Sequence, residues 1–200
     1  MDTVSLCARD LRPLMLPPRP ERDGNGLEAR AARLLRGWDG RMAAGRAEPL
    51  VFAAWVRALN DRLFADDLGP LIGEYRRARA ATLRRILGGE GAFCDDTRTE
   101  AVTENCADMV AGAYDDALAL LARLYGNSIE HWRWGEAHRA WFSHQIWSRI
   151  PVIGPPLTTR TPTGGGDYTV SRGSFGGPDD EPFRHRHGGA AGSIRPGQPG

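Results

Sequence analysis

Histidines, adjacent carboxylates, cysteines and a glycine run are the residues of this chain whose types and spacing could do chemistry. His138 and His144 lie six apart, whereas two zinc ligands on one helical face need i, i+4 spacing. That offset speaks against a shared metal. His185 and His187 flank Arg186 in a Gly- and Pro-rich stretch, where a fortuitous His-Arg-His is the simpler explanation. Asp95-Asp96 and Asp115-Asp116 are neighbours on single segments, but general acid–base catalysis needs two groups converging from separate elements. Both pairs therefore take structural roles. Asp95-Asp96 would favour the dipole and cap of a helix beginning near Thr99 or Thr103, and Asp115 and Asp116 would face solvent or the arginines of the preceding helix.

Gly164-Gly165-Gly166-Asp167 has no strand before it, no helix after it and no Gly-Lys-Ser/Thr, so it is not a nucleotide-binding loop. No serine, histidine and acid stand at nucleophile-elbow spacing, and no cysteine has a recognisable catalytic context. Catalytic, cofactor-binding and metal-binding residues are accordingly assigned to none of the 200 positions. Three cysteines, Cys7, Cys94 and Cys106, cannot close a complete intrachain disulfide set. Cys94 precedes a turn, and Cys106 is placed one or two turns into the next helix, which could fold back on it. Two buried thiols are the simpler reading of that pair; a disulfide is the other.

These residues must be positioned by helices. Leu27, Ala31, Leu34 and Leu35 recur at helical spacing, with Asn25 placed to cap and Gly37 to stop. Pro49 suits a first helical position and opens a second helix, with Leu50, Ala54, Trp55, Ala58, Leu59 and Leu63 on one face and Gly69-Pro70 ending it. A third runs from Leu71 through Tyr75, Leu83, Ile86 and Leu87 to Gly88-Gly89. Its other face holds Arg76, Arg77, Arg79, Arg84 and Arg85, a solvated face with no interleaved aromatic for base stacking. The longest carries Cys106, Met109, Val110, Ala113, Tyr114, Ala117, Leu120, Leu121 and Leu124, ending near Gly126. After Trp147, prolines and glycines exclude regular helix; Tyr168-Thr169-Val170-Ser171 alone has β propensity, and the remainder to Gly200 is expected to be disordered.

All 26 basic residues are arginine, against 25 acidic ones, for a net charge of +1. So balanced a charge gives no field for nucleic acid or an anionic membrane. No apolar run approaches the roughly 20 residues of a membrane span. The segment from Met1 to Pro20, with Asp2 ahead of an interrupted apolar stretch, is a poor secretory signal. A hydrophobic content of 41% suffices for one core.

Four phrases carry a resemblance: Gly37-Trp38-Asp39-Gly40, then Leu63-Phe64-Ala65-Asp66-Asp67-Leu68-Gly69, then Trp134-Gly135-Glu136-Ala137-His138, and Gly165-Gly166-Asp167-Tyr168-Thr169-Val170. In type and order they resemble the late part of the large subunit of the penicillin acylase family, including its acyl-homoserine-lactone acylase relatives, over about Leu11 to Phe175. The resemblance implies amide hydrolysis by an N-terminal serine that uses its own α-amino group as base, in a precursor cut into small and large subunits. That serine, the oxyanion donors and a nearby arginine would lie upstream of this chain. Relatives continue to a His-Gly-x-Ser-x-Arg stretch and a closing strand, where this chain has His187-Gly188-Gly189 and, later, Ser193-Ile194-Arg195, as a truncated or frame-shifted terminus would.

The expected fold class is mainly α: the helical portion of an N-terminal-nucleophile hydrolase (αββα) large subunit over 1–163, then a short strand or loop and a disordered Gly/Pro-rich tail over 164–200. The expected partners are the small subunit and the N-terminal part of the large subunit, with no nucleic acid, no membrane and no cofactor. The family implies a periplasmic or secreted location, in which a Cys94–Cys106 bridge gains ground. In an acylase, Trp132, Trp134, Trp141, Phe142 and Trp147 could border an apolar acyl pocket, although such a cluster more often forms core or subunit interface. The alternative to an acylase fragment is a stand-alone helical interaction module without catalysis.

Overall fold

The computed structural model describes residues 2–16, 24–75, 79–89, 93–99, 101–142, 159–171, 173–177 and 180–185. At its centre α3 (Glu48–Leu68) lies against α6 (Cys106–Tyr125), the most extensive contact between elements. Pro49 sits in the first turn of α3, where its missing N–H costs nothing, and Gly69 closes the helix at φ +50°. Leu50, Val51, Phe52, Ala53, Ala54 and Trp55 are all buried, so the start of α3 is enclosed on every side instead of presenting one apolar face. Trp55 packs tilted against Tyr114, ring centroids 4.8 Å apart, and donates from Nε1 to the Val110 carbonyl at 2.9 Å. Tyr114 in turn donates to the Glu28 carbonyl at 2.7 Å, tying in α2 (Leu27–Gly37).

The helix α6 begins later than its carboxylates suggest. Asn105 Oδ1 accepts from Ala107 N at 2.8 Å and from Asp108 N at 3.2 Å, and Asp108 accepts from Asn105 N at 3.2 Å, so that Asn105 and Asp108 form a capping box. Cys106 is therefore the first helical residue, and Asp95 and Asp96 do not cap: Asp95 accepts from Glu104 N at 3.1 Å, and Asp96 is held by Arg98. Cys94 and Cys106 form a disulfide, which corrects the reading as two thiols. Asp116 pairs at 2.6 Å with Arg62 of α3 and not with the third predicted helix; Asp115 is exposed.

That third helix is itself two. A 3-10 turn at Gly69–Leu71 leads into α4 (Ile72–Tyr75), and α5 (Ala80–Leu87) starts afresh after Arg79, whose extended backbone (ψ 144°) breaks the run. Arg79, Arg84 and Arg85 are exposed, while Arg76 and Arg77 lie outside the described residues. An additional helix, α1 (Leu6–Met15), is capped by Ser5, whose Oγ accepts from Ala8 N at 3.2 Å. Pro13 in its final turn masks it in the sequence, yet Cys7, Ala8, Leu11 and Met15 form a buried stripe.

Among the described residues the strands form a two-stranded antiparallel ribbon, β1 (Arg139–Phe142) with β2 (Thr159–Pro162), Arg139 opposite Pro162 and Phe142 opposite Thr159. Tyr168–Ser171, the segment with β propensity, is a turn and bend, because Thr169 Oγ1 bonds Gly166 N at 2.9 Å and the Ser171 carbonyl at 2.7 Å and curls the chain on itself. Beyond it, Phe175 and Phe183 pack on the core, Phe183 fully buried, so the expectation of disorder after Ser171 does not hold there; residues 186–200 lie outside the described set. Among the described residues no helix is long and apolar enough to cross a membrane.

Candidate functional site

Two of the phrases singled out in the sequence, at 134–138 and 165–170, meet in space as a hydrogen-bonded knot. Residues 42–46 form the seam. Trp134 N donates to the Arg46 carbonyl, Gly135 N to Ala44 and Gly165 N to Met42, each at 2.8 Å, and Trp134 Nε1 donates to the Gly165 carbonyl at 2.9 Å. So close an approach needs glycine: a Cβ on Gly135 would sit 2.8 Å from that of Ala44, and one on Gly164 would sit 2.8 Å from the Met42 oxygen. Gly165 stands at φ +82°, and a side chain there would collide with the Ser171 carbonyl. The glycine run thus serves backbone packing. In the phrase at 37–40, Trp38 Nε1 donates to Arg41 O at 3.0 Å, Asp39 accepts from Arg41 N at 3.0 Å, and Ser5 N donates to Gly40 O at 2.9 Å.

His138 is the histidine at the heart of the knot. It ends α7 (Trp134–Ala137), is wholly buried, and stacks on Trp134 at 4.6 Å and 18°. Its Nδ1 lies 3.2 Å from the Thr163 carbonyl and its Nε2 lies 3.1 Å from that of Gly173. Phe175 and His185 pack edge-on, with His185 at 4.9 Å. Burial is the main reason its pKa is pushed down to about 4, so the ring is neutral at neutral pH. A neutral ring enclosed this way has no route to a substrate. His185 adjoins it, while His144 and His187 lie outside the described residues; no group of three metal-ligating side chains converges among the described ones.

The aromatic series divides. Trp132 and Trp134 are core, Trp132 donating from Nε1 to the Gly126 carbonyl at 2.9 Å. Trp141 on β1 carries the guanidinium of Arg160 at 3.9 Å and that of Arg184 at 4.3 Å, Phe142 is exposed, and Trp147 lies outside the described residues. Cys7, the free thiol, is buried, and burial pushes it up to about 12, far from a nucleophile's range.

Two clefts on the surface of the described residues are lined by charged side chains. One, of about 450 Å³, lies over α3 and α6 and is lined by Arg57, Arg62 and Arg98 against Asp61, Asp96 and Asp116. Arg98 bonds Asp96 through two nitrogens, at 2.8 and 2.6 Å, and holds its carboxyl down to about 2. Its signs balance. The second, of about 510 Å³, lies between α2, residues 45–48 and the turn at 129–133, and four guanidiniums face it. Sequence reasoning passed over these arginines because Arg30, Arg33, Arg46 and Arg133 are scattered along the chain.

The penicillin amidase family profile matches residues 1–195. The chain belongs to the penicillin amidase family. Relatives include an acyl-homoserine lactone acylase, QuiP, of Pseudomonas syringae pv. syringae, 25% identical over 166 residues that make up 78% of this chain and 20% of the relative. QuiP of Pseudomonas fluorescens is 28% identical over 116 residues, 54% of this chain and 14% of the relative. The chain thus spans about a fifth or less of the length of these curated relatives. Among solved structures it is similar to a thermostable penicillin G acylase from Alcaligenes faecalis, at 18% identity and a TM-score of 0.48, covering 82% of this chain and 34% of that one.

Proposed function

We propose that this chain is the helical scaffold of an amide hydrolase that removes the acyl group from a linear amide, of the N-acyl-homoserine lactone or penicillin side-chain type. The observation that carries the reading is the family match over 1–195 together with relatives named as acyl-homoserine lactone acylases. In this reading the nucleophile is an N-terminal serine on polypeptide outside these 200 residues, belonging to the large subunit's N-terminal part and assembled with a small subunit. The serine hydroxyl adds to the amide carbon and its α-amino group takes the proton; the amine leaves with that proton, and water hydrolyses the resulting ester. No residue of this chain takes a step in it. The Cys94–Cys106 bridge supports a periplasmic or secreted location, since disulfides persist in oxidising compartments.

The test is acyl release from an N-acyl-homoserine lactone and from a chromogenic phenylacetyl amide, followed by chromatography. The purified chain alone should match its heat-denatured control, and the chain co-produced with an upstream serine-bearing acylase segment should turn over. Release by the chain alone would overturn the scaffold role. An inactive but stably assembled complex would overturn the amidase assignment.

A further inference from the structure

The second cleft is built with more positive charge than its own carboxylates neutralise. Arg30 pairs with Glu130, and Arg46 pairs with Glu48 through two nitrogens, one bond measuring 3.1 Å. Glu48 is only 5% exposed, so its charge is already committed to Arg46. Arg33 donates to the Gly24 carbonyl at 3.2 Å, and Arg133 to the Trp132 carbonyl at 2.8 Å and to that of Glu130. Neither has a carboxylate partner among the described residues, although both are exposed and line the same cleft. Four guanidiniums against two carboxylates leave a surplus of two positive charges.

The three elements that meet here are fixed by the core. Ala31 and Leu35 bury α2, Trp134 N anchors the Arg46 carbonyl, and buried Ile129 seats the turn that carries Arg133. The backbone that carries these arginines is therefore anchored in the core, and the volume of the cleft falls within the usual range of small-ligand sites. A guanidinium fork matches the paired oxygens of a carboxylate or phosphate. Carbonyl-bonded arginines keep further N–H groups for such oxygens, since each guanidinium has five. Half-buried Leu34 and buried Ile129 add an apolar wall, which suits a small anion carrying a short hydrocarbon body.

We propose that this cleft binds the oxyanion group of a small molecule, a carboxylate or a phosphate, between Arg33 and Arg133. The site is independent of the amidase reading. The test is titration of the full chain with butyrate and, in a separate arm, with inorganic phosphate, followed by arginine Nε–Hε NMR signals at low salt. Saturable shifts of Arg33 and Arg133 are expected in at least one arm, and which arm binds more tightly distinguishes the carboxylate source from the phosphate source. Arg33→Gln with Arg133→Gln should weaken that binding by roughly tenfold or more, whereas Arg36→Gln, also on α2 but outside the cleft, should leave it within about twofold. Circular dichroism confirms that each variant is folded; should the double variant fail to fold, the single variants Arg33→Gln and Arg133→Gln carry the same comparison at a smaller fold-change. Shifts that never saturate in either arm, or an equal loss in Arg36→Gln, would overturn the site and leave general charge attraction.

Discussion

The α3–α6 pair and the knot around Trp134 are both buried, yet they are held by different forces. In the helix pair the backbone satisfies itself, and side chains such as Leu59, Leu63, Ala113 and Leu121 contribute by leaving water. In the knot the chain is mostly irregular, so its polar groups must find partners far along the sequence, and glycines let the strands of coil approach closely. The helix pair should tolerate swaps that conserve volume, whereas the knot should depend on individual backbone bonds.

The largest expected effect tests that difference directly. Trp134→Ala removes a fully buried ring and strands the Gly165 carbonyl, and should cost about 3–5 kcal/mol in urea unfolding. Trp134→Phe keeps most of the apolar contact but loses the Nε1 donor, and should still cost about 1–3 kcal/mol. Were Trp134→Phe neutral, the claim that the knot lives on its hydrogen bonds would fail.

Next in size is the disulfide, which belongs to the helical half. Cys94 and Cys106 are separated by 12 residues, and a loop of about that length stabilises by roughly 3 kcal/mol through the unfolded chain. Cys94→Ser with Cys106→Ser should lower the melting temperature. The near-ultraviolet signal of the knot tryptophans at ambient temperature should stay unchanged, because the bridge touches the α6 start and not the seam at 42–46. A lost tryptophan signal would show that the two regions are coupled.

The knot should also respond to acid. His138 has a folded pKa of about 4 against an ordinary 6.5, so between those values the unfolded chain binds the extra proton and stability falls as pH drops. Above pH 6.5 the contribution is constant; across the window it amounts to about 3 kcal/mol by linkage. His138→Gln should flatten the difference in stability between pH 7 and pH 4, measured against wild type so that carboxylate titrations cancel. A wild-type slope in that variant would move the acid sensitivity to another group.

The same contrast explains what was legible in the sequence. Helical periodicity marked α2 and α3 nearly to the residue, and the C-terminal end of α6, because a stripe such as Met109, Val110, Ala113 and Ala117 is a local pattern. It failed at Arg79, where the apolar spacing continues through a backbone break, and at α1, where Pro13 in a last turn disguised a buried stripe. The family phrases were visible as residues, but their meaning was not: the partners of Gly165 and Trp134 lie more than a hundred and about ninety positions away, respectively, at Met42 and Arg46. The disulfide was undecided for a related reason, since the helix start at Asn105 brings Cys106 to the edge that faces Cys94. No catalytic residue was assigned from sequence, and His138, the chemically richest candidate, is enclosed as core.

The smallest effect is expected on the outer surface of the helix pair, where Arg62 bridges to Asp116 at 2.6 Å with both side chains substantially exposed. Asp116→Asn should cost only about 0.2–1 kcal/mol, and less in high salt, because solvent screens the pair and two long side chains lose freedom to make it. Gly112 sharpens the point. A Cβ there would lie 2.6 Å from the Arg62 guanidinium carbon, so Gly112→Ala must push that flexible arm aside. Replacing glycine by alanine within a helix returns about 1 kcal/mol, which matches or exceeds the ion pair it displaces. Gly112→Ala should therefore leave stability unchanged or slightly raised, whereas a glycine of the knot such as Gly165 cannot be replaced without moving the Ser171 backbone. A loss of more than about 2 kcal/mol in Gly112→Ala would mean that the helical half, too, depends on a specific polar contact.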